Sequence, residues 1–217
     1  MVSDIKDQQQ NYLTNEEINN LSEVSIRLFC KIFQSNNRTE LNLEQIRLGA
    51  EGAELVAKFL ENNKITTYIN LTETNIGYQG IKHLVKALEN NITLTDIDFE
   101  YNNIGDQGAI ILAQFLTNNK TIKRINLNVN NINDEGFVQL FKALEINRTI
   151  RQVKLSYNNI SDKGVMELVK SLNTNKINSE IIMDYIDLEN NDISYEVLEL
   201  LIKVLEENNK KLVDNYN

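Results

Sequence analysis

The sequence predicts an α/β fold: a right-handed solenoid, or horseshoe, of about six 28-residue repeats, with a parallel sheet on its concave face and helices on its convex face. Three residue classes that recur in one register support this prediction. The glycines are Gly52, Gly80, Gly108, Gly136 and Gly164. The asparagines are Asn63, Asn91, Asn119, Asn147 and Asn175. The apolar pairs are Leu41/Leu43, Ile69/Leu71, Ile97/Phe99, Ile125/Leu127 and Val153/Leu155.

Each repeat is interpreted as a strand, a turn, a helix and a second turn. Alternating polarity in Ile97–Phe99 predicts a short strand with one buried face. Asp106, like Asp134 and Asp162, is predicted to cap the start of its own helix. The helix is predicted to end at Asn119 in a left-handed C-cap. The periodic glycine either permits close approach of neighbouring helices or supports an unusual dihedral angle.

The turn between strand and helix carries a recurrent polar residue. We expect it to be buried and to satisfy main-chain groups of adjacent repeats, since a turn inside a stack is cut off from water. The members of this structural ladder are Thr74, Asn102, Asn130, Asn158 and Asn191. Ile46 stands at this position in the first repeat, which is therefore expected to be an atypical terminal unit.

The repeats also set the domain boundaries. The sixth strand pair, Ile186/Leu188, follows Val153 by 33 residues, which predicts an insertion of about five residues within 176–185. Residues 1–13 are expected to be a flexible N-terminus, 41–213 the array and 214–217 a tail. Residues 14–40 are expected to form a helical cap, because Thr14 and Glu17 make a capping box before an apolar stripe.

Two segments carry a resemblance to a known family. They read YNNIGDQGAIILAQFLTNN and YNNISDKGVMELVKSLNTN, and the strand regions follow the pattern L-x-x-L-x-L-x-x-N-x-L. Over about residues 41–210 the chain resembles the ribonuclease-inhibitor-like leucine-rich-repeat proteins. That repeat type also occurs in immune-receptor sensor domains and in the Ran GTPase-activating protein. The resemblance implies a horseshoe scaffold, and the recurring residues imply no particular activity.

Composition excludes several classes of function. The net charge of −9 argues against binding of nucleic acid and of anionic membranes. Cys30 is the only cysteine, so no intramolecular disulfide can form. Met1–Tyr12 lacks the features of a secretory signal, and no apolar run reaches membrane-spanning length. We therefore expect a cytoplasmic protein, or one in a host cytoplasm if it is an exported bacterial effector.

Residues typical of catalysis are scarce. His83 is the only histidine, and a surface or boundary position on a repeat helix explains it without a role as metal ligand or base. The motif NIGDQG lacks the lysine of a phosphate-binding loop. Asp98 and Glu100 form an acidic pair on an open, solvated surface. We expect no catalytic residues, no metal and no cofactor.

The candidate binding surface is the concave face. In a strand written L-x-L-x-x, the x residues point outward, and here they carry six acids and one lysine. One column, Glu73, Tyr101, Val129 and Tyr157, resembles an aromatic hot spot rimmed by charge, although tyrosine also simply suits an exposed strand. The predicted binding residues are Glu73, Asp98, Glu100, Tyr101, Asn128, Val129, Lys154, Ser156 and Tyr157.

These observations predict a non-catalytic protein–protein interaction module, whose partner presents a basic patch to the acidic face. The alternative is regulation of an enzyme, such as activation of a small GTPase, for which Arg47 in the first strand-to-helix loop is the candidate residue. We expect a protein partner, no nucleic acid and no membrane. A monomer is expected, with end-to-end pairing through the C-terminal end left open.

Overall fold

A computed structural model describes residues 38–174 and 184–215, with side chains described up to residue 173 and from 184 to 207. Strands and helices alternate strictly over these ranges. The strands are β1 Glu40–Asn42, β2 Tyr68–Asn70, β3 Asp96–Asp98, β4 Arg124–Asn126, β5 Gln152–Lys154 and β6 Tyr185–Asp187. The helices are α1 Gly49–Asn62, α2 Gly77–Leu88, α3 Gly105–Asn118, α4 Asp134–Ile146, α5 Asp162–Thr174 and α6 Tyr195–Asn215. The cap predicted for residues 14–40 lies almost wholly outside the described residues.

The six described strands form one parallel sheet in chain order. Ile69 pairs with Ile97, and Ile125 with Val153, so the register advances by one 28-residue repeat at each strand. The last step differs, because Val153 pairs with Ile186. The additional residues precede β6 and leave the strand register intact. The predicted α/β solenoid with a parallel sheet is confirmed.

A continuous apolar core lies between the sheet and the helices. The inward strand residues Leu41, Ile97 and Val153 are at most 3 % exposed. The helices contribute residues spaced three and four apart, such as Leu112 and Leu116 of α3, which places one stripe against the sheet. Because each strand has only three residues, no repeat can enclose a core alone, and burial depends on its neighbours.

The recurrent turn residues form a continuous hydrogen-bonded ladder across the repeats. The Oδ1 atom of Asn130 accepts hydrogen bonds from the main-chain N–H groups of Asn102, at 3.0 Å, and of Ile104, at 3.3 Å. Its Nδ2 atom donates to the carbonyls of Phe99, at 2.8 Å, and of Asn128, at 2.9 Å. One side chain thus completes the turns of two repeats. We call the set Thr74, Asn102, Asn130, Asn158 and Asn191 the turn ladder.

The helix-end asparagines do not adopt the predicted left-handed conformation. Asn63, Asn119 and Asn147 are extended, with φ of −79°, −70° and −68°. The Oδ1 atom of Asn147 accepts the N–H groups of Thr149 and Ile150, at 2.7 and 2.8 Å. Its Nδ2 atom donates to the Leu116 carbonyl of the preceding repeat, at 2.6 Å. The side chain therefore replaces a left-handed cap and also links repeats.

The predicted aspartate caps act on a different helix. No side-chain cap bond starts α3 or α4 from its own N-cap residue. Instead, Oδ1 of Asp106 accepts the N–H groups of Asn133, at 2.8 Å, and Gly136, at 3.0 Å, both at the start of the next helix. Asp134 and Asp162 repeat the arrangement with Ser161 and Ser194, at 2.7 Å each. We call Asp106, Asp134 and Asp162 the inter-repeat aspartates.

Gly136 and Gly164 permit this close approach, whereas a Cβ atom on Gly52, Gly80 or Gly108 would first meet the side chain four residues earlier in its own repeat. A Cβ atom on Gly136 would lie 2.6 Å from Oδ1 of Asp106 and 2.9 Å from Cβ of Ala109. Positive φ angles occur instead at other glycines, such as Gly105. Two explanations were given for a glycine in every repeat: close packing of helices and an unusual dihedral angle. The geometry supports close packing.

Replacement of Thr66 by valine is expected to stabilise the fold. Thr66 is fully buried, and its hydroxyl lacks a hydrogen-bond partner within the described part of the chain. Thr74 is equally buried, but its hydroxyl donates to the Leu71 carbonyl, at 2.7 Å, and contacts Asn102. Thr66→Val should raise the free energy of unfolding by about 1 kcal/mol, because an unsatisfied polar group disappears.

Urea denaturation of both variants provides the measurement. The matched control, Thr74→Val, should lower the free energy of unfolding by about 2 kcal/mol, because it leaves buried partners unsatisfied. Equal destabilisation by the two substitutions would contradict this account of the turn.

Candidate functional site

Four columns of side chains cross the concave face, one residue from each repeat in each column. In each repeat the first column holds the residue before the first buried strand position, such as Ile97. The second and third columns hold the residues before and after the second buried position, such as Phe99. The fourth column holds the next residue, where the chain leaves the strand and enters the turn. The first contains Glu40, Tyr68, Asp96, Arg124, Gln152 and Tyr185; the second, Asn42, Asn70, Asp98, Asn126, Lys154 and Asp187. The third contains Glu44, Thr72, Glu100, Asn128, Ser156 and Glu189; the fourth, Gln45, Glu73, Tyr101, Val129, Tyr157 and Asn190.

The second column has a structural task. The side-chain oxygens of Asn70, Asp98 and Asn126 each accept the main-chain N–H two residues later, at 2.9 to 3.0 Å. Lys154 stands at this position in the next repeat, and its side chain has no acceptor atom. The N–H two residues later, that of Ser156, donates instead to Oδ1 of Asn128 in the neighbouring repeat, at 2.9 Å. The side chains of Asn70, Asp98 and Asn126 therefore fix the backbone at the end of their own strands.

The two acids at the centre of the face are fixed by neutral donors. Asp98 accepts hydrogen bonds from the Thr72 hydroxyl, at 3.1 Å, and from Nδ2 of Asn126, at 3.0 Å. The same Nδ2 atom donates to Glu100, at 2.9 Å. Neutral donors orient these carboxylates without cancelling their charge. The face thus carries negative charge in fixed positions.

The first column was missed in the sequence reasoning. Tyr68, Asp96, Arg124 and Gln152 line a groove of about 360 Å³ on the sheet, together with Lys154 and other residues. Arg124 forms an ion pair with Asp96 across adjacent strands. The signal was available in the sequence, because strand alternation exposes the residue before each buried position as well as the residue after it.

The first column makes the face more acidic. With it, the four columns carry eight acids and two bases, a net charge of −6. Burial raises the pKa of the Tyr68 hydroxyl above its ordinary value, and the nearby carboxylates of Asp98, Glu40, Glu44 and Asp96 raise that pKa further. Tyrosine is already protonated at neutral pH, and both effects favour this form further, so the Tyr68 hydroxyl is available as a hydrogen-bond donor.

The fourth column has an unusual backbone. All six described residues of this column have positive φ angles, and those of Tyr101, Val129 and Tyr157 are 60°, 54° and 55°, in the left-handed region. This conformation costs about 1–2 kcal/mol for most residues, and a β-branched residue there is a rare outlier. The two tyrosines are 56 % and 61 % exposed, and Val129 is half-buried between them. Large side chains are therefore displayed where asparagine or glycine would fit more easily.

The other proposed binding residues differ in accessibility. Glu73 is exposed, and Lys154 and Asn128 are half-buried. Ser156 is only 4 % exposed, so it offers little surface to a partner, and its part in binding stays a prediction. Ser156 is a small residue, and its main-chain N–H donates to Oδ1 of Asn128 in the neighbouring repeat, at 2.9 Å.

The remaining candidates for chemistry are scattered. His83 lies half-buried on α2, and Arg47 is exposed in the loop between β1 and α1. Cys30 lies outside the described residues. Within residues 38–174 and 184–215, no cluster of histidine, cysteine, aspartate and glutamate is arranged to hold a metal ion. None of the helices in these ranges combines the length and apolar character that crossing a lipid bilayer requires.

Comparison with known proteins agrees with this architecture. A family model described as Leucine Rich repeat matches residues 90–113, 118–140 and 147–169. The chain therefore contains leucine-rich repeats, and its six described strands form one parallel sheet. No curated protein sequence matches it significantly.

Two solved structures share the fold. One is titled Leiomodin-1 Actin-Binding Site 2; it has a TM-score of 0.57 and 23 % identity, and the match covers 74 % of this chain and 91 % of that one. The other is the C-terminal domain of tropomodulin from Caenorhabditis elegans, with a TM-score of 0.57 and 14 % identity, covering 77 % of this chain and 97 % of that one. At these identities the likeness concerns the fold alone.

Replacement of Val129 by asparagine is expected to stabilise the protein. Asparagine tolerates the left-handed conformation that Val129 is forced to adopt, so the free energy of unfolding should rise by about 1 kcal/mol. Thermal denaturation followed by circular dichroism measures the effect. Val138→Asn is the matched control, because Val138 is also half-buried but lies within α4. The control should lose stability, and a Val129→Asn variant that is also destabilised would argue against backbone strain.

Proposed function

We propose that this protein is a non-catalytic interaction module that binds another protein on its concave face, with a basic patch of the partner against the acidic columns. The observation that carries the proposal is the pair of exposed tyrosines in the fourth column. Tyr101, Val129 and Tyr157 occupy left-handed positions at adjacent repeats, where two large aromatic side chains remain exposed. The left-handed backbone recurs in every described repeat, so it is the presence of large residues at positions that favour asparagine or glycine that points to function.

The spacing of these side chains suits a binding centre. Val129 donates its N–H to the Ser156 carbonyl, at 3.0 Å, and Tyr101 donates to the Asn128 carbonyl, also at 3.0 Å. Each residue is therefore one strand spacing, about 4.8 Å, from the next. Tyrosine contributes a large contact area and few rotatable bonds, which favours its use in interfaces.

Charge supports a basic partner. The acids around the tyrosines include Glu73, Asp98 and Glu100, and the last two are held by hydrogen bonds. Such preorganised charge accelerates association and selects partners by sign, and salt weakens it. Leiomodin-1 has an actin-binding site in a domain of the same fold, so actin is a reasonable first protein to test.

The double variant Tyr101→Asn/Tyr157→Asn tests the proposed face. Asparagine suits both backbone conformations, so this variant should fold at least as stably as the wild type. It should nevertheless lose the partner, because the aromatic contact area is gone. Proteins captured from cell lysate on immobilised wild type and variant can be compared by quantitative mass spectrometry, at low and high salt.

Tyr78→Ala is the control, because Tyr78 is 40 % exposed at the start of α2 and lies away from the concave face. Genuine partners should be retained by the wild type and by the Tyr78→Ala control. High salt should release them, and the double variant should not retain them. Retention of the same proteins by the double variant would show that the aromatic column is not the binding site.

A further inference from the structure

We propose that the concave face binds an extended segment of the partner protein that carries a basic and an acidic side chain about three residues apart. The segment lies in the groove on the sheet that is lined by Tyr68, Asp96, Asp98, Arg124 and Lys154, among other residues, and we call this cavity the sheet groove. The inference rests on the proposed function, because it assigns a ligand to part of the same face. It adds an acidic residue to a partner that the overall charge of the face describes only as basic.

Opposite charges occupy opposite ends of the sheet groove. Its acids are Glu40 on β1 and Asp96 and Asp98 on β3. Its bases are Arg124 on β4 and Lys154 on β5, which are also the two bases of the four columns. Because the strands lie side by side in chain order, the charge changes sign once across the groove. A ligand of uniform charge is therefore attracted at one end and repelled at the other.

The basic end of the sheet groove offers hydrogen-bond donors to a ligand. Arg124 contacts Asp96 through Nε, and its two Nη atoms have no acceptor among the residues that the structure describes. Lys154 is half-buried, and its Nζ atom also has no acceptor in the described part of the chain. Gln152 pairs with Arg124 across the sheet and contributes an amide to the same end. Guanidinium, ammonium and amide groups together suit the oxygens of a carboxylate.

The acidic end suits a lysine or arginine side chain. Asp96 is bound to Arg124, whereas Glu40 and Asp98 form no ion pair within residues 38–173 and 184–207. Asp98 is held in position by neutral hydrogen-bond donors and keeps its charge. Tyr68 stands between Glu40 and Asp98 in the order of the strands and is half-buried, so its ring can contact the apolar stem of a long basic side chain. This end therefore favours a cation.

The spacing of the strands sets the spacing of the charges on the ligand. Asp98 and Lys154 belong to the same column and lie on β3 and β5, two strand spacings or about 9.6 Å apart. In the polyproline II conformation, residues three apart lie on one face of the chain and are separated by about 9.3 Å. A segment in this conformation that crosses the strands therefore places one side chain over Asp98 and the other over Lys154.

Proline-rich peptides with two charged residues three positions apart test this inference. Three labelled peptides differ only at those two positions, which are Lys and Glu, Lys and Lys, or Glu and Glu. Fluorescence anisotropy measures their binding to the full chain. The wild type should bind the Lys/Glu peptide about fivefold more tightly than either of the other two, although the net charge of the face favours Lys/Lys.

The variant Lys154→Asp should reverse this preference. Two other repeats carry aspartate in the same column, Asp98 and Asp187, so the variant is expected to fold. It should bind the Lys/Lys peptide about fivefold more tightly than the Lys/Glu peptide, because the basic end has become acidic. Lys142→Glu is the matched control. Lys142 is exposed on α4, its substitution changes the net charge equally, and the preference for Lys/Glu should remain.

Three results would overturn the inference. The first is an affinity that follows peptide charge alone, with Lys/Lys bound most tightly by the wild type. The second is an unchanged preference in Lys154→Asp, and the third is the absence of binding by all three peptides. The proposed concave site is judged separately, by the loss of captured proteins from Tyr101→Asn/Tyr157→Asn. That loss without a Lys/Glu preference would contradict the sheet groove alone, and the preference without that loss would contradict the aromatic column alone.

Discussion

Hydrogen bonds from side chains of one repeat to the main chain of the next are the constraint on which this structure depends. Each strand has three residues and each turn is buried, so a single repeat can satisfy neither its core nor its polar groups. Asn130 completes the turn of the preceding repeat, Asn147 anchors the end of the preceding helix, and Asp106 caps the following helix. Three different side chains thus connect repeats at three levels of the solenoid.

This connectivity explains how the concave face can hold an unfavourable backbone. The strand on either side of Val129 is fixed by the sheet register and by the turn ladder, so the left-handed residue cannot relax without breaking bonds in two repeats. The same rigidity positions Asp98 and Glu100 before any partner arrives. A preorganised face loses little conformational entropy on binding, which favours affinity and selectivity.

The sequence predicted the repeats, the parallel sheet and the inward apolar positions, because these depend on periodicity within one repeat. It misjudged features that depend on the neighbouring repeat. Asp106 looked like a cap of its own helix, and Asn119 like a left-handed residue, because local rules consider only nearby atoms. Strand alternation places Ser156 on the surface, but it does not predict how far neighbouring repeats cover a small side chain, and Ser156 is only 4 % exposed.

Hydrogen exchange tests most directly whether repeats are stable only through their neighbours. The variant is Asn130→Ala, and it is compared with the wild type and with Asn173→Ala, a control at an exposed site. The account predicts faster exchange in Asn130→Ala at the amides of Asn102 and Ile104, and also throughout α3 and α4 on both sides of the lost side chain. The control should exchange like the wild type. Faster exchange confined to the turn around Asn130, with α3 as protected as before, would contradict the account.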